Sequence, residues 1–126
     1  MDQKVLIVDG HPVYAQRVIT FLQGLMFTDI HLAKTGKQGM DDARDKKPDL
    51  VILSSVLPDM DSSLVCREIH ALTKGASKII VQIGLFTEAE TVNKFHDHGA
   101  SAVLMRKEKD LQPLQKAIER LLLSEV

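Results

Sequence analysis

Residues 48–62 read PDLVILSSVLPDMDS and predict the central strand of a parallel sheet. The first part of this stretch, residues 50–53, is an unbroken apolar run that is too short for a helix and contains β-branched residues, which is typical of a parallel strand buried on both faces. Ser54 and Ser55 end the run, and a turn rich in proline and aspartate follows. Ligands of open parallel sheets bind at the carboxyl ends of the strands, so Ser54 marks the place where a functional group is expected.

Short apolar runs of the same kind recur along the chain and alternate with segments of helical periodicity. Five strands and five helices in alternation predict a parallel sheet covered by helices on both faces. Right-handed crossovers favour a doubly wound, flavodoxin-like sheet with strand order 2-1-3-4-5. We therefore predict a single α/β domain over residues 1–126. The predicted strands cover residues 5–8, 29–33, 50–53, 78–83 and 102–105.

Composition and charge narrow the class of protein. The net charge of −1 gives no reason to expect nucleic acid or an anionic membrane as a partner. No apolar stretch approaches the ~18 residues that span a bilayer, and the start of the chain lacks a signal-peptide pattern, so we expect a cytoplasmic protein. The single cysteine, Cys66, allows no intrachain disulfide and is expected to be a buried thiol. His96 and His98 are expected to be solvated at a helix end.

Local signals indicate where several helices begin and end. Pro12 suits the first turn of the first helix, and Asp110 is placed to cap the last one. Thr87 and Glu90 have the spacing of a capping box, in which each side chain accepts a hydrogen bond from the other residue's amide. Gly99 is expected to end the fourth helix.

Three segments carry a resemblance to a known family. They read LIVDGHP at residues 6–12, PDLVILSSVLPDMDS at 48–62 and GASAVLMRK at 99–107. Over essentially its whole length, the chain resembles the receiver (REC) domain of two-component response regulators. The resemblance implies a CheY-like fold and a part in phosphorelay signal transduction.

The sequence departs from most of the residues that the family uses for phosphorylation. In receivers, two acidic residues after the first strand and the phosphoacceptor aspartate hold Mg²⁺, while a lysine, a Thr or Ser and an aromatic residue respond to the phosphoryl group. Asp9 matches the first acidic residue, and Ser54 falls on the phosphoacceptor position. The other positions of this degenerate pocket are held by Gly10 for the second acidic residue, Ile83 for the hydroxyl residue, Val103 for the aromatic residue, and Arg106 or, with a shift of one residue, Lys107 for the lysine.

These departures predict a degenerate receiver, or pseudo-receiver, that is not an enzyme and is not switched by phosphorylation. A serine hydroxyl is a poor nucleophile unless a base activates it. One carboxylate in place of three predicts weak or absent Mg²⁺ binding. We also predict that Asp9 and Arg106 approach each other, directly or through water, so that the pocket needs no metal.

The expected mechanism is docking to protein partners of a signalling pathway. The resemblance places the docking surface, and with it a homodimer contact, on the fourth helix, the fifth strand and the fifth helix. A surface of mixed charge suits a specific polar interface. Its residues in this chain are Glu88, Glu90, Lys94, Asp97, Lys116, Glu119 and Arg120.

Two alternative hypotheses stay open from the sequence. A phosphorylatable receiver would use Asp59, Asp61 or Ser54 as an unusual acceptor, although the two aspartates are typical turn formers. A hydrolase would be built on Asp9, His11 and Ser54, which follow neighbouring strands of the predicted sheet. Geometry decides such a triad, and His11 is favoured as a residue that caps or borders the first helix.

Overall fold

A five-stranded sheet forms the centre of the protein. The structure is a computed structural model that describes residues 2–123. The strands are β1 (Lys4–Val8), β2 (Asp29–Ala33), β3 (Leu50–Ser54), β4 (Lys78–Ile83) and β5 (Ala102–Met105). All pairings between neighbours are parallel, and the order is β2-β1-β3-β4-β5. The predicted doubly wound α/β sheet and its strand order are confirmed.

The helices connect the strands as crossovers and cover both faces of the sheet. They are α1 (Pro12–Gly24), α2 (Gly36–Lys46), α3 (Ser62–Leu72), α4 (Ala89–Asp97) and α5 (Gln112–Ile118), and α5 continues into a π-helical turn over Glu119–Leu123. α1 and α5 pack on one face, whereas α2, α3 and α4 pack on the other. None of the helices within residues 2–123 is long and apolar enough to cross a bilayer.

The central strands β1, β3 and β4 are mostly apolar because both faces of the sheet are covered. Along β1, Val5 and Ile7 contact the core beneath α1 and α5, whereas Leu6 and Val8 contact the core beneath α2, α3 and α4. This division follows from the alternation of side chains along a strand. Every residue of β3 is buried, Ser54 included, so the carboxyl end of the central strand delivers a polar side chain into a desolvated position.

Gly39 allows α2 to lie directly on β1. A Cβ atom at this position would come within 2.8 Å of Cγ1 of Val8, which is closer than real side-chain contacts. A Cβ atom at Gly36 would meet Cγ of Met60 at 2.6 Å. The two glycines therefore serve close packing between α2, β1 and the loop that follows β3.

Two of the predicted helix ends are found in the structure. Gly99 follows α4 with a φ angle of 100°, a conformation that favours glycine, and it ends the helix as expected. Asp110 accepts a hydrogen bond from the Gln112 amide at 3.0 Å, as a capping side chain does, although Leu111 occupies the N-cap position itself.

The predicted capping box at the start of α4 is wrong. The Thr87 hydroxyl donates a hydrogen bond to the Gly84 carbonyl at 2.8 Å, within the turn that leaves β4. α4 begins later, at Ala89, with Glu88 as an N-cap residue that makes no side-chain capping bond. Threonine hydroxyls can form hydrogen bonds in turns as well as at helix N-termini, so the Thr87–Glu90 spacing alone did not distinguish the two.

Two glycine substitutions form a matched test of the packing between α2 and β1. Gly39→Ala is expected to lower the free energy of unfolding by about 1–3 kcal/mol, because the new methyl group overlaps Val8 in a close-packed core. Gly24→Ala, at the end of α1, meets nothing within 4 Å and is expected to change stability by at most ~1 kcal/mol, in the stabilising direction. Urea unfolding measures both values. Equal effects at the two positions would contradict the packing argument.

Candidate functional site

The loops that follow β1, β3 and β5 enclose a pocket at the carboxyl edge of the sheet. The pairing of Val8 with Leu53 brings the residues after β1 beside Ser54 at the end of β3. The pocket has a volume of about 310 Å³. Its walls are formed by Asp9, Gly10, His11, Ser54, Val56, Leu57, Pro58 and Arg106. The structure therefore brings together four of the residues that the sequence assigned to a degenerate pocket.

An ion pair between Asp9 and Arg106 forms the base of this pocket. Nη2 of Arg106 donates a hydrogen bond to Oδ2 of Asp9. The other carboxylate oxygen, Oδ1, accepts from the His11 amide at 2.9 Å. The side chain of Asp9 is only 4% exposed and that of Arg106 is 20% exposed, so the pair is largely shielded from water. The predicted approach of these two residues is confirmed as a direct contact.

Tyr14 extends the ion pair to α1. The guanidinium carbon of Arg106 lies 4.1 Å from the centre of the Tyr14 ring, which is the geometry of a cation–π contact. The Tyr14 hydroxyl accepts a hydrogen bond from Nε2 of Gln82 at 2.6 Å. Burial raises the pKa of the Tyr14 hydroxyl, so the ring stays neutral beneath the cation. β1, β4, β5 and α1 therefore meet through one set of polar contacts.

Sequence reasoning missed Tyr14 and Gln82 as parts of the site. Tyr14 lies on the buried, apolar face of α1, where a sequence pattern gives no sign of a polar role. The available signal was Gln82, a polar residue inside the otherwise apolar part of β4, because a buried amide needs a hydrogen-bond partner. Which partner it finds depends on the sheet, since the two residues are 68 positions apart.

Ser54 makes its hydrogen bonds within its own loop. The hydroxyl donates to the Val56 carbonyl at 3.0 Å and lies 3.2 Å from the Val56 amide, from which it accepts. The His11 ring accepts at Nδ1 from the Tyr14 amide at 3.1 Å and so caps α1, as the sequence suggested. Within the described residues, no hydrogen bond joins Ser54 to His11 or the His11 ring to Asp9. The relay that a Ser-His-Asp hydrolase requires is therefore not formed.

Asp59 and Asp61 cap helices. Asp59 accepts hydrogen bonds from the Gly36 and Lys37 amides at 2.8 and 3.0 Å, across the start of α2, and the first of these bonds is the largest cause of its lowered pKa. Asp61 is the N-cap of α3 and accepts from the amide and the hydroxyl of Ser63, which lower the pKa of Asp61. Both carboxylates hold the loop after β3 against the neighbouring helices.

Three residues of the predicted pocket, Ile83, Val103 and Lys107, are not among those that line the observed one. Ile83 is half-buried, and its carbonyl accepts a hydrogen bond from the Arg106 amide at 2.8 Å, which fixes the main chain where the arginine leaves β5. Val103 is half-buried, and Lys107 is exposed. A Cβ atom at Gly10 would lie 3.1 Å from the Lys34 carbonyl oxygen, so there is little space for a larger residue beside Asp9.

Cys66 and His98 join α3 to the end of α4. Cys66 is buried and free, as predicted, and burial raises the pKa of its thiol to about 12. The prediction of a solvated His98 is wrong: its Nδ1 lies 2.9 Å from the Ser63 carbonyl oxygen, and the ring is half-buried. His96, on the opposite side of the helix end, is exposed as expected. Phe95 is the one buried residue of α4, so the sequence pattern here did not show which histidine faces α3.

The predicted docking surface consists of exposed residues. Lys94 lies 3.9 Å from Asp61 in an ion pair between α4 and the loop after β3. The other members project from α4, α5 and the π-helical turn. Residues Glu88, Glu90, Lys94, Asp97, Lys116, Glu119 and Arg120 are all exposed.

Comparison with known proteins identifies the family. The model of the response regulator receiver domain matches residues 5–119 of this chain. The chain therefore belongs to the response regulator receiver domains, which act in two-component signalling.

Curated relatives are longer than this chain. The DNA-binding response regulator MtrA of Mycolicibacterium smegmatis is 33% identical over 98 residues, which cover 71% of this chain and 42% of the relative. The probable C4-dicarboxylate response regulator DctR of Priestia megaterium is 25% identical over 117 residues, which cover 92% of this chain and 50% of the relative. The chain thus spans half or less of each.

Solved structures confirm the CheY-like, flavodoxin-like fold. A two-component response regulator from Clostridium difficile superposes with a TM-score of 0.86 at 23% identity and 96% coverage of both chains. The receiver domain of a sensor histidine kinase from Pseudomonas aeruginosa superposes with a TM-score of 0.84 at 21% identity, covering 98% of this chain and 100% of that one. The second was solved with a magnesium ion in its active-site cleft.

Removal of one partner tests the ion pair. Arg106→Met is expected to lower the free energy of unfolding by about 3 kcal/mol, because it leaves the Asp9 carboxylate buried without a counter-charge. Asp9→Asn combined with Arg106→Met is expected to recover most of this loss, since no buried charge is then left alone. Arg44→Met, which removes an exposed arginine that pairs with Asp41, serves as the control and should cost at most ~1 kcal/mol. Equal losses in the two single arginine variants would refute the assignment.

The lowered pKa of Asp59 predicts a pH dependence of stability. A carboxyl group whose pKa is lower in the folded state stabilises the fold above its ordinary pKa of 3.8, and this contribution is lost as the pH falls through the folded value. Asp59→Asn is therefore expected to be less stable than the natural protein at neutral pH, with a difference that shrinks below pH 3.8. Urea unfolding of both chains at neutral pH and below pH 3.8 measures this difference in the free energy of unfolding. A difference that stays constant would mean that the charge at the start of α2 contributes nothing.

Proposed function

We propose that this receiver domain is a pseudo-receiver: a protein-interaction module of a two-component pathway that works without phosphorylation. The single observation that carries the proposal is the ion pair between Asp9 and Arg106. In the family, the residue matched by Asp9 helps to hold Mg²⁺. Here the same carboxylate already has a permanent counter-charge from the protein itself.

The residues of the pocket do not fit a magnesium ion. Mg²⁺ requires near-octahedral oxygen ligands at about 2.1 Å and is usually held by one or more carboxylates. Asp9 is the one carboxylate among the described residues that line the pocket, and both of its oxygens accept hydrogen bonds. Gly10 has no side chain to add, and the Ser54 hydroxyl is engaged with Val56. We therefore expect weak or absent metal binding.

The contacts of Ser54 also make phosphoryl transfer to its hydroxyl unfavourable. A serine hydroxyl needs a general base, and the described contacts of Ser54 are main-chain groups of its own loop. Ile83 has no hydroxyl to contact a phosphoryl oxygen, and Val103 has no ring to change position. We therefore assign no catalytic step to this domain.

The alternative acceptors Asp59 and Asp61 are less favoured than they were from the sequence. Each carboxylate is already used as a helix cap, and each has a lowered pKa for that reason. Phosphorylation of either would replace a cap with a bulkier group and disturb the start of α2 or α3. A hydrolase built on Asp9, His11 and Ser54 is not favoured, because the contacts among these residues do not form a relay.

The proposed activity is docking of a protein partner on α4, β5 and α5. The seven exposed charged residues of this surface carry both signs, which gives specificity and orientation rather than high affinity. Since the pocket has no switch, we expect the surface to be permanently competent for binding.

Treatment with a small phosphodonor tests the proposal. Incubation with acetyl phosphate and Mg²⁺ is expected to leave the intact mass of the natural chain unchanged, because the pocket lacks an acceptor and a metal site. The Ser54→Asp variant, treated in parallel, separates these two causes. An adduct on this variant alone would mean that the acceptor is the missing part, whereas no adduct on either chain would mean that the ion pair also blocks the site.

A phosphoryl adduct on the natural chain would overturn the proposal. Peptide mapping of such an adduct to Asp59, Asp61 or Ser54 would restore a phosphorylation switch with an unusual acceptor. Peptide mapping is also the control, since an adduct at any other residue would lie outside the candidate acceptors and would not restore the switch.

A further inference from the structure

The arginine in the pocket at the carboxyl edge of the sheet has hydrogen-bond donors that the protein does not use. Nε of Arg106 is buried and has no hydrogen-bond partner among residues 2–123. Within the same residues the guanidinium donates to Asp9 through Nη2, so Nη1 has no acceptor either, and Nη1 is not buried. Buried polar groups in native proteins almost always have a partner, so this under-used guanidinium indicates a missing acceptor.

His11 gives the pocket a second free donor, whereas the acceptors are occupied. Nδ1 of His11 accepts from the Tyr14 amide at 3.1 Å, so the neutral ring has its proton on Nε2. Both carboxylate oxygens of Asp9 accept hydrogen bonds. The Ser54 hydroxyl bonds to the main chain of Val56 as donor and as acceptor. A molecule that fits this pocket therefore has to offer an acceptor.

Three consecutive residues of the loop after β3 form an apolar wall of the pocket. They are Val56, Leu57 and Pro58. Val56 is 77% exposed, and an apolar body in the pocket would remove this side chain from water. The volume of about 310 Å³ corresponds to about ten non-hydrogen atoms, if each takes the ~30 Å³ of a water molecule in the liquid. An apolar lining with a few convergent polar groups is typical of small-molecule sites.

The charges that line the pocket favour a neutral molecule over an anion. Among the described lining residues the charged side chains are Asp9 and Arg106, which neutralise each other. A phosphate group carries more than one negative charge at neutral pH. Burying such an anion without a free counter-charge is costly. A neutral acceptor can use the same N–H groups without that cost.

We propose that this pocket binds a small neutral molecule that has a carbonyl oxygen on a compact apolar body. The oxygen accepts from the free N–H groups of the pocket, and the apolar body covers Val56 and Leu57. The inference rests on the proposed function in one respect, since a pocket without Mg²⁺ and without a phosphoryl group is free for such a ligand. It goes beyond that function, because docking on α4, β5 and α5 needs no small molecule.

Titration with acetophenone, an aromatic ketone of suitable size, tests the inference through the amide signals of two-dimensional NMR spectra. Saturable shifts are expected at Gly10, His11 and Val56, with a Kd of about 1 mM or below. Three further probes separate the terms of the argument. Ethylbenzene lacks the carbonyl oxygen, benzoate has an anionic head, and inorganic phosphate has no apolar body. Each is expected to bind about tenfold more weakly than acetophenone, or worse.

Variants locate the site. Val56→Ser changes an exposed side chain, should leave the fold intact, and is expected to weaken the binding of acetophenone about threefold or more. Leu72→Ser changes an exposed apolar side chain at the other end of the sheet and should leave the Kd unchanged. The Asp9→Asn, Arg106→Met double variant has a neutral pocket without the guanidinium. It should bind acetophenone no better than ethylbenzene.

Several results would overturn the inference. They are the absence of saturable shifts, equal binding of ethylbenzene, and tighter binding of benzoate or phosphate than of acetophenone. Shifts confined to α1, where Val13, Thr20 and Phe21 line a cavity of about 690 Å³, would also overturn it. None of these results decides the proposed function, which depends on the phosphodonor experiment with the natural chain.

Discussion

The ion pair between Asp9 and Arg106 is the contact on which the rest of the site depends. It joins the loop after β1 to the end of β5, two strands that β3 and β4 separate in the sheet. A buried ion pair costs desolvation on both sides. Further contacts offset part of this cost: the His11 amide donates to the carboxylate and the Tyr14 ring lies on the guanidinium, whereas Nε of Arg106 is buried without a hydrogen-bond partner among the described residues. The arginine is thereby held between the end of β5 and the loop after β1.

The loop after β3 is held by helix caps rather than by an ion pair. Asp59 reaches the start of α2, Asp61 starts α3, and Ser54 closes a bond within the loop. The carboxylates and the hydroxyl of this loop, which are candidate phosphoryl acceptors, all form hydrogen bonds with main-chain groups. These contacts support the proposed role as a permanent docking module rather than a switch.

Much of the fold was predictable because burial on both faces leaves a strong record in sequence. β3 and β4 are largely apolar, so residues 50–53 and 78–83 marked them clearly. Helix ends were less predictable. Thr87 has equal chemical reason to close a turn or to cap a helix, and the turn after β4 decided it. His98 likewise gave no local sign that α3 would present the Ser63 carbonyl to it.

The sequence by itself determined the parallel sheet, the place of the pocket and the charge balance that brings Asp9 to Arg106, because these depend on strand periodicity and on counting charges at strand ends. The tertiary structure decided the remaining contacts: the stacking of Arg106 on Tyr14, the bond from Gln82 and the caps made by Asp59. Each of these joins residues far apart in the chain, and their partners are chosen by how helices pack on the sheet, which no local pattern records.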